Sequence, residues 1–166
     1  SDNAISCAKQ IANKLDGSFY TLDSKRGVGR VILNDNEKLC IDISTIHPNG
    51  ITSDLSSRDF TVNAIAMNCK NGSFADPTGG LTDLNNRILR MTSPTAFFND
   101  PVRLLRAIRI AVDSNFIIDN STRTAMRQDI VDINQISNER IRDELMKCLT
   151  SKNPNKAIQI LSHMKI

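Results

Sequence analysis

Two polar clusters in this chain have the residue types and spacing that binding a charged, oxygen-rich ligand requires. In Ser57-Arg58-Asp59-Phe60-Thr61-Val62-Asn63-Ala64, an Arg-Asp pair is followed by an asparagine four residues after the aspartate. From one short helix, Arg58, Asp59 and Asn63 would point into one site. There arginine grips phosphate, while Asp and Asn hydrogen-bond sugar hydroxyls. The same spacing also fits a helix-start aspartate beside an ion-paired arginine. In Asn99-Asp100-Pro101-Val102-Arg103-Leu104-Leu105-Arg106-Ala107-Ile108-Arg109, three arginines recur at i, i+3 and i+6, on adjacent helical turns. Asp100 stands just before the first turn. An Asp acceptor beside the Arg103 donor can read a nucleobase edge, and Arg106 and Arg109 can hold a triphosphate. The plainer alternative is a solvated amphipathic face.

Two further clusters carry less on their own. Asp76-Pro77-Thr78-Gly79-Gly80-Leu81-Thr82-Asp83 has paired glycines, which permit unusual backbone angles in a hinge or in an ordinary turn. Arg140-Ile141-Arg142-Asp143-Glu144-Leu145 fits an ion-paired helix surface.

The elements that must carry these side chains follow from periodicity. Ala4, Ala8, Ile11, Ala12 and Leu15 recur at helical spacing, and Gly17 ends that helix. Three strands are expected at Ser18–Leu22, Gly29–Leu33 and Lys38–Ser44, separated by turn-rich Asp23–Gly27 and Asn34–Asn36. In the third strand, alternation puts Leu39, Ile41 and Ile43 on one side and Cys40, Asp42 and Ser44 on the other. A short helix over Phe60–Met67, a loop over Asn71–Leu81 and a strand over Ile88–Met91 come next. From Pro94 onward the period is helical. Pro101 suits the first position of a helix burying Leu104, Leu105, Ile108, Ala111 and Val112. Another helix starts near Ser121. A third has Ser137 as N-cap, Ile136 and Ile141 as a hydrophobic staple, and a buried stripe of Ile141, Leu145, Cys148 and Leu149. Asn153-Pro154 opens a last helix with Ala157, Ile160, Leu161 and Met164 inward. The expected domains are 1–93, a small α/β piece, and 94–166, an all-helical piece.

The chain has 166 residues, 40% of them hydrophobic and 23% charged. This balance argues against disorder, and no run of about 18 apolar residues exists to span a bilayer. The net charge of +3 is small but uneven. Residues 1–86 carry 8 Lys and Arg against 10 Asp and Glu, whereas residues 87–166 carry 13 against 8. Most of the positive charge in the second half is arginine, whose planar fork suits phosphate. Cys7, Cys40, Cys69 and Cys148 form no CxxC pair, so reduced cytosolic thiols are expected. The start, Ser1-Asp2-Asn3-Ala4-Ile5, has neither an initiator methionine nor the regions of a signal peptide. The sequence is therefore expected to be a piece of a longer protein.

In their order and spacing, the clusters resemble the class II tRNA nucleotidyltransferase and bacterial poly(A) polymerase family over nearly the whole chain. The family pattern RRDFTxNA is matched by Ser57–Ala64, D-x-x-G-G-x-x-D by Asp76, Gly79, Gly80 and Asp83, and (E/D)DPxRxLRAxR by Asn99–Arg109. The resemblance implies an α+β fold: a partial nucleotidyltransferase head, with a small mixed sheet and helices, followed by an all-helical neck. It implies that Arg58 and Asp59, with Asn63, contact triphosphate and ribose. Asp100 and Arg103 would select the incoming base, and Arg106 and Arg109 would support the phosphates. Asp42, in Ile41-Asp42-Ile43, matches the family's third active-site carboxylate, hence a catalytic residue and metal ligand.

The implied activity is template-independent addition of C or A residues, from CTP or ATP, to a tRNA or other RNA 3′ end in the cytoplasm, with Mg²⁺ as cofactor. The family's catalytic D-x-D pair is expected before residue 1. A rival of another class is a non-catalytic nucleotide- or RNA-binding domain with decayed motifs. Two departures bear on it: Ser57 replaces an arginine, and Asn99 replaces Glu or Asp; His47, where arginine is common, reads as a structural residue.

Overall fold

The computed structural model describes residues 4–33, 39–128 and 136–164. They form two compact units, divided between Pro48 and Asn49.

In the first unit, helix α1 (Ala4–Lys14) covers an antiparallel sheet of β1 (Ser18–Asp23), β2 (Val28–Ile32) and β3 (Cys40–Ser44), in that order. Alanine is the smallest side chain that still favours a helix, and Ala8 and Ala12 bring α1 close to Val31. Gly29 lets the helix approach: a Cβ there would stand 2.8 Å from the Ala8 Cβ. Ile41 and Ile43 pack against this core while Cys40, Asp42 and Ser44 are exposed, as the alternation predicts. The expected turn at Asn34–Asn36 and the start of the third strand at Lys38 lie outside the described residues.

The second unit holds α2 (Ile51–Ser56), β4 (Ala66–Met67), β5 (Phe74–Ala75), α3 (Gly80–Asn85), β6 (Ile88–Leu89) and α4 (Ala96–Asn99). It continues through α5 (Arg103–Asp113), β7 (Ile117–Ile118), α6 (Asn120–Gln128), α7 (Asn138–Leu149) and α8 (Pro154–Met164). Its core joins Phe60, Leu89 and Phe97 to Leu104, Leu105, Ile108, Met126, Cys148 and Leu161. The Phe60 and Phe97 rings meet tilted, with centroids 6.4 Å apart. The sequence changes period at 93/94, but packing is not severed there, because residues 49–93 share this core with the later helices.

The α+β class holds, with three local differences. Phe60–Met67 is not a helix but a 3-10 turn at Thr61–Asn63 leading into β4. The backbone here is committed elsewhere: Thr61 N donates to Arg90 O, and Thr92 N donates to Asp59 O. The helical segment is interrupted by β7, which pairs in parallel with β6. On α7 the buried positions are Glu144 and Cys148, with Ile141 packed beside them, whereas Leu145 and Leu149 are exposed. Helix α5 begins two residues after Pro101, and Ser137 does stand at the N-cap of α7. No helix among the described residues is long and apolar enough to cross a membrane.

Candidate functional site

The second unit gathers most of the expected site residues. Asp59 is buried, and its two oxygens divide their partners. Oδ1 accepts from its neighbour's backbone, Phe60 N, at 2.8 Å and from Asn63 Nδ2 at 3.1 Å. Oδ2 accepts from Arg106 Nε at 3.0 Å and Nη2 at 2.8 Å. The Arg-Asp-x-x-x-Asn spacing therefore brings Asp59 and Asn63 together through a tight turn rather than a helix. Burial alone would push the Asp59 carboxyl up. The Arg106 charge, with the hydrogen bonds from Asn63, Arg106 and Phe60 N, outweighs it and holds the group below the usual carboxylate range.

Arg58 turns the other way, pairing with Asp54 at 3.2 Å and donating to the Asn63 carbonyl at 3.3 Å. Arg103 reaches back from α5 to the same segment. It donates to Ser57 O at 3.0 Å, Arg58 O at 3.2 Å and Ala96 O at 3.3 Å. Two motifs 45 positions apart are thus bonded to each other. Thr92 adds a side-chain hydroxyl hydrogen bond to the Arg58 carbonyl.

Arg109 and Arg106 share an acceptor that the sequence reading left on the surface. Glu144 takes Arg109 Nε at 2.9 Å, stands 3.7 Å from Arg106 Nη1, and pairs with Lys147 at 2.8 Å. Arg109 also stands 3.9 Å from Asp113. Burial pushes Glu144 up, but Lys147 and Arg109 bring it down below its ordinary value. Glu144 had a sequence signal: it falls on the same helical stripe as Ile141 and Cys148. Asp100 is paired with Arg140 Nη2 at 2.8 Å, a second residue of that cluster. Arg140, half exposed, and Arg142, paired with Asp143 on the surface at 3.1 Å, fit the ion-paired helix surface expected of this cluster, whereas Glu144 is buried.

The Gly-Gly loop supports the Arg58–Asn63 turn. Asp76 accepts from Gly80 N and Leu81 N, at 2.6 and 2.9 Å, at the start of α3. Gly79 has a left-handed backbone, φ 77°, and a Cβ on Gly80 would stand 2.0 Å from the Thr61 carbonyl oxygen. Asp83 then accepts the Thr61 hydroxyl at 2.8 Å and pairs with Arg90. This pair of glycines is thereby explained by close packing.

Asp42 belongs to the first unit. It lies directly opposite Arg30 in the sheet register, and Arg30 Nε and Nη2 donate to its two oxygens at 2.7 and 2.8 Å. That hydrogen-bonded arginine holds the Asp42 carboxyl below its ordinary value. Asp42 is thus an available but occupied carboxylate. Among the described residues, no group of three His, Cys, Asp or Glu is placed to hold a metal ion. Asp42 alone does not compose a complete metal site.

Two family models and several known proteins match this chain. The family described as Poly A polymerase head domain matches residues 31–90. The family described as Probable RNA and SrmB-binding site of polymerase A matches residues 115–166. A CC-adding tRNA nucleotidyltransferase of Geobacter sulfurreducens is 38% identical over 141 residues, covering 85% of this chain and 33% of that protein. An A-adding tRNA nucleotidyltransferase of Deinococcus radiodurans is 35% identical over 159 residues, covering 93% of this chain and 36% of that protein. The Thermotoga maritima CCA-adding enzyme, solved in complex with tRNA, superposes with a TM-score of 0.84 at 32% identity, over 99% of this chain and 40% of that one. The chain spans about a third of the length of the curated relatives it matches.

Proposed function

This chain belongs to the tRNA nucleotidyltransferase and poly(A) polymerase family, and from that premise we propose that the whole protein adds C and/or A residues, from CTP or ATP, to the 3′ end of a tRNA. The RNA 3′-hydroxyl attacks the nucleotide α-phosphorus, a new phosphodiester bond forms, and pyrophosphate leaves. One observation carries the proposal: Arg103 bonds the carbonyls of Ser57 and Arg58, joining the base-reading helix to the phosphate-binding turn.

The residues divide the work by what they can reach and donate. Asp100 accepts from the exocyclic amine of cytosine or adenine, and Arg103 donates to the same base edge. Arg58 meets the triphosphate, and Asn63 reaches the ribose. Asp59 shares the ribose contact while tethering Arg106, so Arg106 and Arg109 present their charge to the phosphates from fixed positions. Enzymes of this family generally use divalent metal ions. In this proposal the ion would be Mg²⁺, Asp42 would be one of the carboxylates holding it, and its chemistry would be Lewis-acid stabilisation of developing negative charge. The soluble phase of the cytoplasm, where tRNA ends are completed, is the proposed location.

The test is extension of a tRNA lacking its 3′ end by the whole protein, with each NTP supplied separately. Extension with CTP, ATP or both, and not with UTP or GTP, is the expected outcome. Binding of ATP or CTP with no extension by any nucleotide would instead assign a non-catalytic binding domain.

A further inference from the structure

Arg140 lies on α7, which packs against α5, and its guanidinium reaches Asp100 across 40 positions. Nη2 donates to Asp100 Oδ2 at 2.8 Å. The Arg140 side chain is 53% exposed, while that of Asp100 is 20% exposed. One turn further along α7, the buried Glu144 takes Arg109 at 2.9 Å and stands near Arg106. These contacts fix α7 against the arginine helix, so Arg140 is held at a defined place rather than waving in solvent.

A short aspartate side chain has two freely turning torsions, and a single ion pair to one oxygen removes most of that freedom. Asp100 is at the end of α4 with an extended backbone (φ −155°, ψ 93°), outside any helix that would restrict it. With Oδ2 held by Arg140, the direction of Oδ1 is set. A carboxylate oxygen accepts hydrogen bonds and cannot donate them. It therefore favours the amino groups of cytosine N4 and adenine N6 and disfavours the keto oxygens of uracil O4 and guanine O6.

We infer that Arg140 is a positioning residue for base selection, which acts by holding the Asp100 carboxylate in the orientation that accepts an amino-bearing base. The inference rests on the base-reading role given to Asp100 above. Arg140 touches no base itself, so its loss should change which nucleotide is chosen more than how well the protein folds.

The experiment measures kcat and KM for CTP, ATP, UTP and GTP addition by the whole protein. The variants are Asp100→Ala, Arg140→Ala, Arg140→Lys, the Asp100→Ala/Arg140→Ala double variant and, as a control on the same helix, Arg142→Ala. Arg140→Ala should reduce the preference for CTP or ATP over UTP about tenfold, the scale of one charge-assisted hydrogen bond. The change should fall mainly on KM. Its unfolding midpoint should match that of Arg142→Ala, and Arg140→Lys should recover part of the preference. The double variant should be no less selective than Asp100→Ala alone. If Asp100→Ala loses selectivity and Arg140→Ala keeps it, or if Arg140→Ala slows all four nucleotides equally, the inference is overturned and Arg140 is only a tether. If Asp100→Ala itself keeps full selectivity, the base-reading assignment fails first and the inference falls with it.

Discussion

Asp59 and Arg106, 47 positions apart in sequence, form an ion pair in which Arg106 Nε and Nη2 both donate to one carboxylate oxygen, Oδ2, at 3.0 and 2.8 Å. The Asp59 side chain is 8% exposed and that of Arg106 is 35% exposed. One partner is thus desolvated while the other still meets solvent. This pair fastens the turn that carries Arg58 and Asn63 to the helix that carries Arg103 and Arg109.

Asp59→Ala should therefore destabilise the second unit as well as impair nucleotide binding. Removing one partner of a largely buried pair leaves the other charge short of its acceptor, and Phe60 N and the Asn63 amide lose theirs. The expected loss is about 2–4 kcal/mol, read as a fall in the urea midpoint with an unchanged m value. A midpoint equal to wild type would mean that Arg106 is satisfied by Glu144 alone.

Acid should unfold the chain through the same groups. Asp59, Glu144 and Asp119, the last accepting from Arg90 and from Ser121 N, are all held below their ordinary values in the folded protein. For such groups the unfolded state binds protons first as pH falls. Their stabilisation is therefore full above the unfolded values, about pH 4–4.5, and is lost as pH drops through the lower folded values. Urea midpoints should be insensitive to these carboxylates between pH 7 and about 5.5 and should fall steeply below about pH 4. Asp59→Asn, which cannot titrate, should give a shallower acid limb. An acid limb as steep as wild type in that variant would remove Asp59 from the account.

The sequence made the local periodicities legible and left the long-range pairings hidden. Helix α1, strands β1 to β3 and helices α5 to α8 follow patterns that any window of a dozen residues contains. The outward face of Asp42 follows from strand alternation in the same way. Strands β6 and β7 are two residues each and exist only because they pair with each other, so no local pattern marks β7. The turn at Thr61–Asn63 replaces the expected helix because its backbone bonds residues 90–92, which local spacing cannot show. Three arginines on α5 without an intervening acid pointed to an anionic ligand. The structure supplies protein anions as well, Asp59 and Glu144, from elements far away in sequence. That is also why Glu144 replaces Leu145 in the buried stripe of α7: a carboxylate is tolerated there because arginines neutralise it.

Arg103 should prove to be both a structural and a selective residue. Its guanidinium donates to three main-chain carbonyls, those of Ser57, Arg58 and Ala96, and only a planar fork can span them. Arg103→Ala should lower the urea midpoint, by about 1–2 kcal/mol of stability for a partly exposed set of charge-assisted bonds. In the whole protein it should also reduce CTP and ATP selection. Arg103→Lys keeps the charge but not the fork, so it should restore little of either. Full restoration by lysine would show that charge alone matters at this position.

Asp42 should matter to turnover far more than to folding. Its pair with Arg30 lies on the exposed face of the sheet, where water competes with the ion pair, so Asp42→Asn should leave the unfolding midpoint of the chain close to wild type. If the carboxylate serves the reaction, the same change in the whole protein should cut kcat by about a hundredfold or more, the usual scale for removing a group that stabilises reacting charge. A loss of activity could also arise indirectly, because Asp42→Asn strips Arg30 of its acceptor and frees a positive charge beside the strand. The Arg30→Gln/Asp42→Asn double variant separates the two causes. It removes the stranded charge but not the need for a carboxylate, so its kcat should stay as low as that of Asp42→Asn. Recovery in the double variant, or near-normal turnover in the single one, would make Asp42 a cross-strand partner of Arg30 and nothing more.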